Sequence, residues 1–303
     1  MPPSGSWAWE KRSYPKVYND RVRSRPRLFV ALDAGSASGG AVAWSAAGFR
    51  LASHARVPLP EGALVPAPFT PNVVRPAEVA DALRELARTL RIGAVPVCLL
   101  LPDGLARLAL LDVPADVTPQ QYARFRIVPG LPYPAEEAVI DVLPLAGGRA
   151  VVAAVRRAVV EGYEAVAAQS GLAQDRLDLT PLAALSGLLR DPGDARALTV
   201  DVILGDAAFC LAAHQGGALR ALRNRRRDPG PDEDRRLAEE VQRTAFLAGD
   251  GVGPRVRVVG AGAGDLLARW RHTGGAAEPG WRSAEPSAGA EASELAWLGG
   301  ATG

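Results

Sequence analysis

Cysteine and histidine are scarce in this chain, net charge is low, and each scarcity excludes a class of protein. Two cysteines in 303 residues cannot build a disulfide framework. Cys98 and Cys210 both lie in apolar runs, which predicts buried, reduced thiols. His54, His214 and His272 are isolated in the sequence, so the ligand spacing of a zinc site is missing. A net charge of +2 gives no strong field for nucleic acid, and we expect no nucleic-acid partner.

Long apolar runs are missing as well. No run reaches the roughly 18 residues of a membrane-spanning helix, and the N-terminus lacks the apolar segment of a signal peptide. We therefore expect a cytoplasmic protein that does not insert into a membrane. Lysine occurs only at Lys11 and Lys16, inside a stretch rich in arginine and proline. That stretch, residues 1–27, predicts a disordered basic arm.

A glycine-rich stretch from Leu28 to Trp44 follows this arm. Two short apolar runs flank a polar centre, residues 33–40, which predicts a β-hairpin whose loop uses glycine for positive φ. Backbone N–H groups together with the Ser36 and Ser38 hydroxyls suit a phosphate. Asp33 suits Mg²⁺ bound through water. The alternative is a glycine-rich hairpin that binds no ligand.

The C-terminal part of the chain repeats this order of elements. Two predicted strands surround Gly205 and Asp206, and a third strand follows at 218–224. An amphipathic helix at 77–90 and a buried strand at 97–102 complete the first copy. The chain is therefore predicted to be α/β with two similar lobes. The predicted division is a first lobe at 28–102 and 174–196, an inserted α+β subdomain at 103–173, and a second lobe at 197–303.

Four segments in this order resemble the PilM-type actin-like proteins of type IV pilus machines, whose fold also serves type II secretion platforms. The PilM-type proteins belong to the actin/sugar-kinase superfamily, whose duplicated fold is ribonuclease H-like. The segments are LFVALDAGSASGGAV at 28–42, LPYPAEE at 131–137 with Asp141, VVAAVRR at 151–157 with Tyr163, and VVGAGAGDL at 258–266. Together they span roughly residues 28 to 300.

The resemblance implies ATP or ADP with Mg²⁺ between the lobes. The residues expected to hold it are Asp33, Gly35, Ser36, Ser38, Gly205, Asp206, Gly260, Gly262 and Gly264, with Asp33 facing the metal. Two departures weaken this expectation. Gly39 and Gly40 stand where the family commonly has a basic residue, and Ile203 occupies the position of an acid. We therefore expect nucleotide binding to be weak or lost, and no significant catalysis.

The function implied by the resemblance is that of a scaffold on the inner face of the inner membrane. It would bind the N-terminal cytoplasmic peptide of a single-span, PilN-type platform protein, in a groove between the first lobe and the inserted subdomain. Two alternatives remain open. One is a small-molecule kinase of the same superfamily, and the other is an actin-type filament or cell-division adaptor.

Overall fold

The computed structural model describes residues 27–45, 48–93, 96–189, 194–228, 230–249, 253–260, 262–273 and 283–286. Residues 1–26 of the predicted arm and a predicted last helix at 292–298 lie outside the described residues. In chain order the elements are β1 (Arg27–Asp33), β2 (Ser36–Ser45), β3 (Gly48–Pro58), α1 (Pro76–Thr89), β4 (Val97–Leu101), β5 (Arg107–Asp112), α2 (Pro119–Ile127), β6 (Ala138–Leu145), β7 (Arg149–Arg156), α3 (Arg157–Ser170), β8 (Gln174–Leu179), α4 (Thr180–Leu188), β9 (Leu198–Leu204), β10 (Ala208–Gln215), β11 (Ala218–Arg226), α5 (Glu233–Leu247), β12 (Arg255–Gly260), α6 (Ala263–Thr273) and β13 (Ser283–Pro286).

Two five-stranded sheets have the same order of strands. The first runs β3-β2-β1-β4-β8 and the second β11-β10-β9-β12-β13. In each, an antiparallel three-stranded meander is extended by two parallel strands that follow later in the chain. The predicted duplicated two-lobed α/β fold is therefore confirmed. Parallel strands need crossover connections, and the helices within these connections cover the sheets.

A third sheet, ordered β5-β7-β6, lies between β4 and α3 in the chain and is antiparallel throughout. Helix α2 covers one face of it, where Ala123 and Ile127 pack against Val142 and Val152. Helix α3, which the sequence analysis grouped with the inserted subdomain, packs against α1 of the first lobe. Strand β8 pairs with β4 and forms one edge of the first sheet.

Apolar residues at helical spacing along α1 pack this helix against the first sheet. Val79, Leu83 and Leu86 recur on one helix face and are fully buried against the sheet. Pro76 begins the helix, where its missing N–H costs no hydrogen bond. Gly171 follows a helix that the sequence predicts at 159–170, and it ends α3 with φ +82, the left-handed conformation expected of glycine at that position. Cys98 and Cys210 are buried and form no disulfide, as predicted.

No helix within the described ranges is long and apolar enough to cross a membrane.

Candidate functional site

The turn between β1 and β2 is much shorter than the sequence predicted. It consists of Ala34 and Gly35 alone, and β2 already begins at Ser36. The ladder pairs Asp33 with Ser36 and Ala31 with Ser38, so both serines belong to a strand and are buried. The predicted loop over 33–40 with glycine at positive φ is therefore wrong, and Gly35 does not adopt positive φ.

Packing accounts for a glycine further along β2. A Cβ on Gly39 would lie 3.0 Å from the Phe29 carbonyl oxygen and 3.0 Å from a methyl group of Leu90. A side chain at position 39 would therefore be crowded, and Leu86 and Leu90 or the strand would have to shift by a few tenths of an ångström to admit it.

The corresponding turn of the second lobe, between β9 and β10, contains Gly205 and Asp206. Asp206 is exposed and lies close enough to Asp33 to raise the pKa of that carboxyl. A third carboxylate, Asp103, sits in the short turn that follows β4 and is buried. Its Oδ1 lies 2.8 Å from where a Cβ on Gly205 would stand, so the two lobes meet here through a glycine.

These three carboxylates repel one another. Burial, followed by the charge of Asp206, raises the pKa of Asp33 from 3.8 to about 7. Burial, followed by the charge of Asp33, raises the pKa of Asp103 from 3.8 to about 7. Carboxylates with raised pKa values at the meeting point of two lobes mark a candidate functional site, and we call this meeting point the cleft.

A cation contributed by β3 also belongs to this site. The Nε of Arg56 donates a hydrogen bond of 2.9 Å to the Oγ of Ser36. The charge of Arg56 lowers the pKa of Asp33, against the larger effects of burial and of Asp206. The sequence analysis missed both Arg56 and Asp103.

The fourth segment of the resemblance, residues 258–266, lies where β12 ends and α6 begins. Gly260 has φ +111, and a Cβ there would stand 2.2 Å from the carbonyl oxygen of Leu204. Glycine is thus required at position 260 for the close approach of β12 to β9, whether or not a ligand binds. Gly262 and Gly264 have no atom within 4 Å of an added Cβ, so their surroundings are open at the N-terminus of α6. Ala261 lies outside the described residues.

The residues at the cleft fit a magnesium-bound polyphosphate in their chemistry. Carboxylate oxygens suit Mg²⁺, and Arg56 supplies a guanidinium for phosphate. A divalent cation among the carboxylates would also favour their ionised forms. Within the described part of the chain, no group of three acidic, histidine or cysteine side chains is placed to hold a metal directly. Asp33 would contact Mg²⁺ through one of the waters that this ion usually retains.

A buried charged network stabilises the second lobe away from this cleft. Asp201 of β9 is fully buried and accepts hydrogen bonds of 2.6 and 2.9 Å from Arg257. His214 Nε2 lies 3.0 Å from the same carboxylate. Arg257 also donates to the Leu188 carbonyl oxygen at the end of α4, at 3.2 Å. Arg257 therefore joins the sheet to α4, and its carboxylate partner Asp201 lies within β9.

A groove of about 310 Å³ lies on another side of the molecule. Its walls are β6 and β7 of the third sheet, β8, α4 and the turn between β10 and β11. Most of its side chains are apolar, among them Leu143, Leu182 and Leu189. An ion pair of 2.5 Å between Arg176 and Asp178 lines the same groove. A smaller cavity between β6, β7 and β8 adjoins it, sharing Leu177 and Asp178.

Strand β8 forms the open side of the first sheet at this groove. In the described part of the chain β8 pairs with β4 alone. The backbone groups on its other side therefore have no strand partner there. An edge strand beside an apolar groove is the arrangement that binds an extended peptide by adding it to a sheet.

No family model and no curated protein matches this sequence. Solved structures do match. A "PilM-PilN type IV pilus biogenesis complex" is similar over 91% of this chain and 97% of that chain, with 20% identity and a TM-score of 0.72. A Bacteroides thetaiotaomicron protein with an actin-like ATPase fold is similar over 95% and 100%, with 8% identity and a TM-score of 0.59.

The cytoplasmic domain of EpsL also matches, an inner-membrane component of the type II secretion system of Vibrio cholerae. It is similar over 92% of this chain and 95% of that chain, with 12% identity and a TM-score of 0.54. All three likenesses extend over more than nine-tenths of this chain. The chain thus has the actin-like ATPase fold, as predicted from its sequence.

Proposed function

We propose that this protein is an adaptor of the PilM type, which binds a short cytoplasmic peptide of a PilN-type inner-membrane protein. The observation that carries the proposal is the apolar groove beside the open edge of β8. The similarity to a PilM–PilN complex over almost the full length of both chains supports it. In this role the protein works in the cytoplasm and is recruited to the inner face of the membrane by its partner.

The groove suits an extended peptide in which apolar side chains alternate with others. Backbone groups of the peptide pair with the edge of β8, and every second side chain enters the apolar space in front of α4. The Arg176–Asp178 pair offers a charged contact at the wall. A groove of about 310 Å³ accommodates only a few side chains, so the recognised segment is short.

The test is peptide binding to variants whose groove is filled. Ser186 lies on α4 at the groove, is exposed, and bonds through Oγ to the Leu182 carbonyl oxygen of its own helix. Ser186→Trp would place an indole in the groove without removing a buried group. We expect it to weaken binding of a labelled peptide, taken from the N-terminus of the PilN-type protein of the same genome, by at least about tenfold.

Ser170→Trp is the matched control. Ser170 also bonds to a carbonyl of its own helix, that of Ala167, and it does not line the groove. This variant should bind the peptide as the parent protein does. Equal peptide affinity in the Ser186→Trp variant and the parent, with the fold retained by circular dichroism, would contradict the proposal.

A kinase of the same fold is the second candidate, and Asp103 favours it. A kinase needs a carboxylate placed as a general base, and Asp103 is a buried carboxylate in the cleft with a pKa near neutrality. Against this, position 203 carries isoleucine where an acid is expected, so we propose an adaptor with little or no turnover. Steady release of ADP from MgATP in the presence of a sugar, abolished by Asp103→Asn, would favour the kinase instead.

A further inference from the structure

Peptide binding in the groove gives no role to Arg56, a charged side chain of β3. It stands opposite Ser38 in the pairing of β2 with β3, and its Nε bonds to Ser36 at 2.9 Å. The residue is exposed. Within the described part of the chain Arg56 forms no ion pair, so its two Nη groups keep their donors for another ligand.

Its position relative to the carboxylates sets it apart from other arginines. Arg227 also approaches the cleft, donating 3.1 Å to the Gly205 carbonyl oxygen, but it is paired with Glu233 at 2.7 Å. Arg56 has no such acidic partner in the described residues and acts electrostatically on Asp33 across the end of the hairpin. A guanidinium with free donors thus lies near the carboxylates at the meeting point of the two lobes.

The neighbouring strand cannot supply this charge. From Ser36 to Gly40 strand β2 carries no cation, and a Cβ at Gly39 would be crowded by the Phe29 carbonyl oxygen at 3.0 Å. The positive charge at this end of the hairpin therefore comes from β3, one strand further from the cleft. Arginine has the length to reach from there, and its planar group binds phosphate through two parallel hydrogen bonds.

We propose that Arg56 is the phosphate-binding cation of this chain, and that it contacts the terminal phosphates of a magnesium-bound nucleoside di- or triphosphate in the cleft between the lobes. Asp33 and Asp206 would hold the magnesium through water. The cation that the sequence lacks on β2 is thereby replaced. This inference concerns the cleft and is independent of peptide binding in the groove.

The experiment is calorimetric titration of the full chain with MgATP, MgADP, magnesium pyrophosphate and adenosine. We expect Arg56→Gln to weaken MgATP and MgADP by about 10- to 100-fold, the usual effect of losing a charge-assisted hydrogen bond. Adenosine affinity should be unchanged. Arg56→Lys keeps the charge but not the paired donors, so its nucleotide affinity should lie between those of the parent and Arg56→Gln.

Arg220→Gln is the control. Arg220 is an exposed arginine of β11, the counterpart of β3 in the second lobe, and its loss changes the net charge equally. Its affinities should equal those of the parent. Equal affinity of Arg56→Gln and the parent for both nucleotides would overturn the inference, as would a parent that binds neither nucleotide at millimolar concentration. If Arg56→Gln weakens magnesium pyrophosphate as much as it weakens the nucleotides, Arg56 recognises the phosphates alone. If Arg56→Gln leaves pyrophosphate affinity unchanged, the inference is overturned.

Discussion

The carboxylate cluster predicts an unusual dependence of stability on pH, which can be tested with Asp33→Asn. Asp33 has a pKa of about 7 in the folded protein against an ordinary value of 3.8. Between these two values the folded state binds more protons than the unfolded state. Stability therefore falls as pH rises through this range, which is the reverse of a salt-bridged carboxylate.

The magnitude follows from the two pKa values. Between pH 5 and pH 8 the carboxyl of Asp33 would lower the free energy of unfolding by at most about 2.5 kcal/mol, at 1.36 kcal/mol for each unit. Asp33 is half-buried, and solvent screens part of this effect, so we expect about 1 to 2 kcal/mol. Asparagine does not titrate, so the variant keeps the stability that the parent loses.

Urea unfolding at pH 5, 6, 7 and 8 in metal-free buffer measures this difference. We expect Asp33→Asn to gain stability relative to the parent steadily as pH rises. Asp112→Asn is the control, because the Asp112 side chain is 96% exposed on the third sheet. Its stability relative to the parent should not change with pH. A difference between Asp33→Asn and the parent that stays constant or shrinks with rising pH would refute the raised pKa of Asp33.

Two further predictions concern buried polar contacts. Asp201→Asn leaves the Arg257 guanidinium without its carboxylate beside His214, and urea unfolding should show a loss of about 3–5 kcal/mol; a loss below 1 kcal/mol would mean that the network is open to water. Tyr163→Phe removes a buried hydrogen bond of 3.1 Å to the Oδ1 of Asn72, and the expected loss is about 1–2 kcal/mol. Unchanged stability of the Tyr163→Phe variant would indicate that this bond contributes nothing to holding the connection before α1.

Sequence predicted the repeated order of strands because each lobe reproduces the same local patterns. The helix α1 was found from apolar residues at helical spacing, and Gly171 from its place after the last helical residue. Both depend only on neighbours in the chain. Strand β8 was missed because its sequence, QDRLDL, carries three charged residues in six. It is a strand because it pairs with β4, which no local pattern reveals.

The candidate site was only partly predictable for a related reason. Asp33 and Asp206 each lie at a hairpin turn that the sequence marks with glycine. Arg56 lies 20 residues after Ser36 in the chain, and only the register of β2 with β3 brings them together. The length of the first turn was wrong because small polar residues, which favour loops locally, here fill a buried strand beside α1.

The open edge of β8 has a consequence for the handling of this protein. An edge strand beside an apolar groove is a template for pairing with any other extended chain, and such edges promote aggregation when they are left uncovered. Within the described residues β8 carries two acidic side chains and one basic one, Asp175, Asp178 and Arg176, and charges on an edge strand oppose such pairing. Neutralising Asp175, the exposed one, would remove part of this protection. The same charged residues therefore have two effects. They made β8 unrecognisable as a strand from its sequence, and they keep its edge from pairing with other copies of the chain.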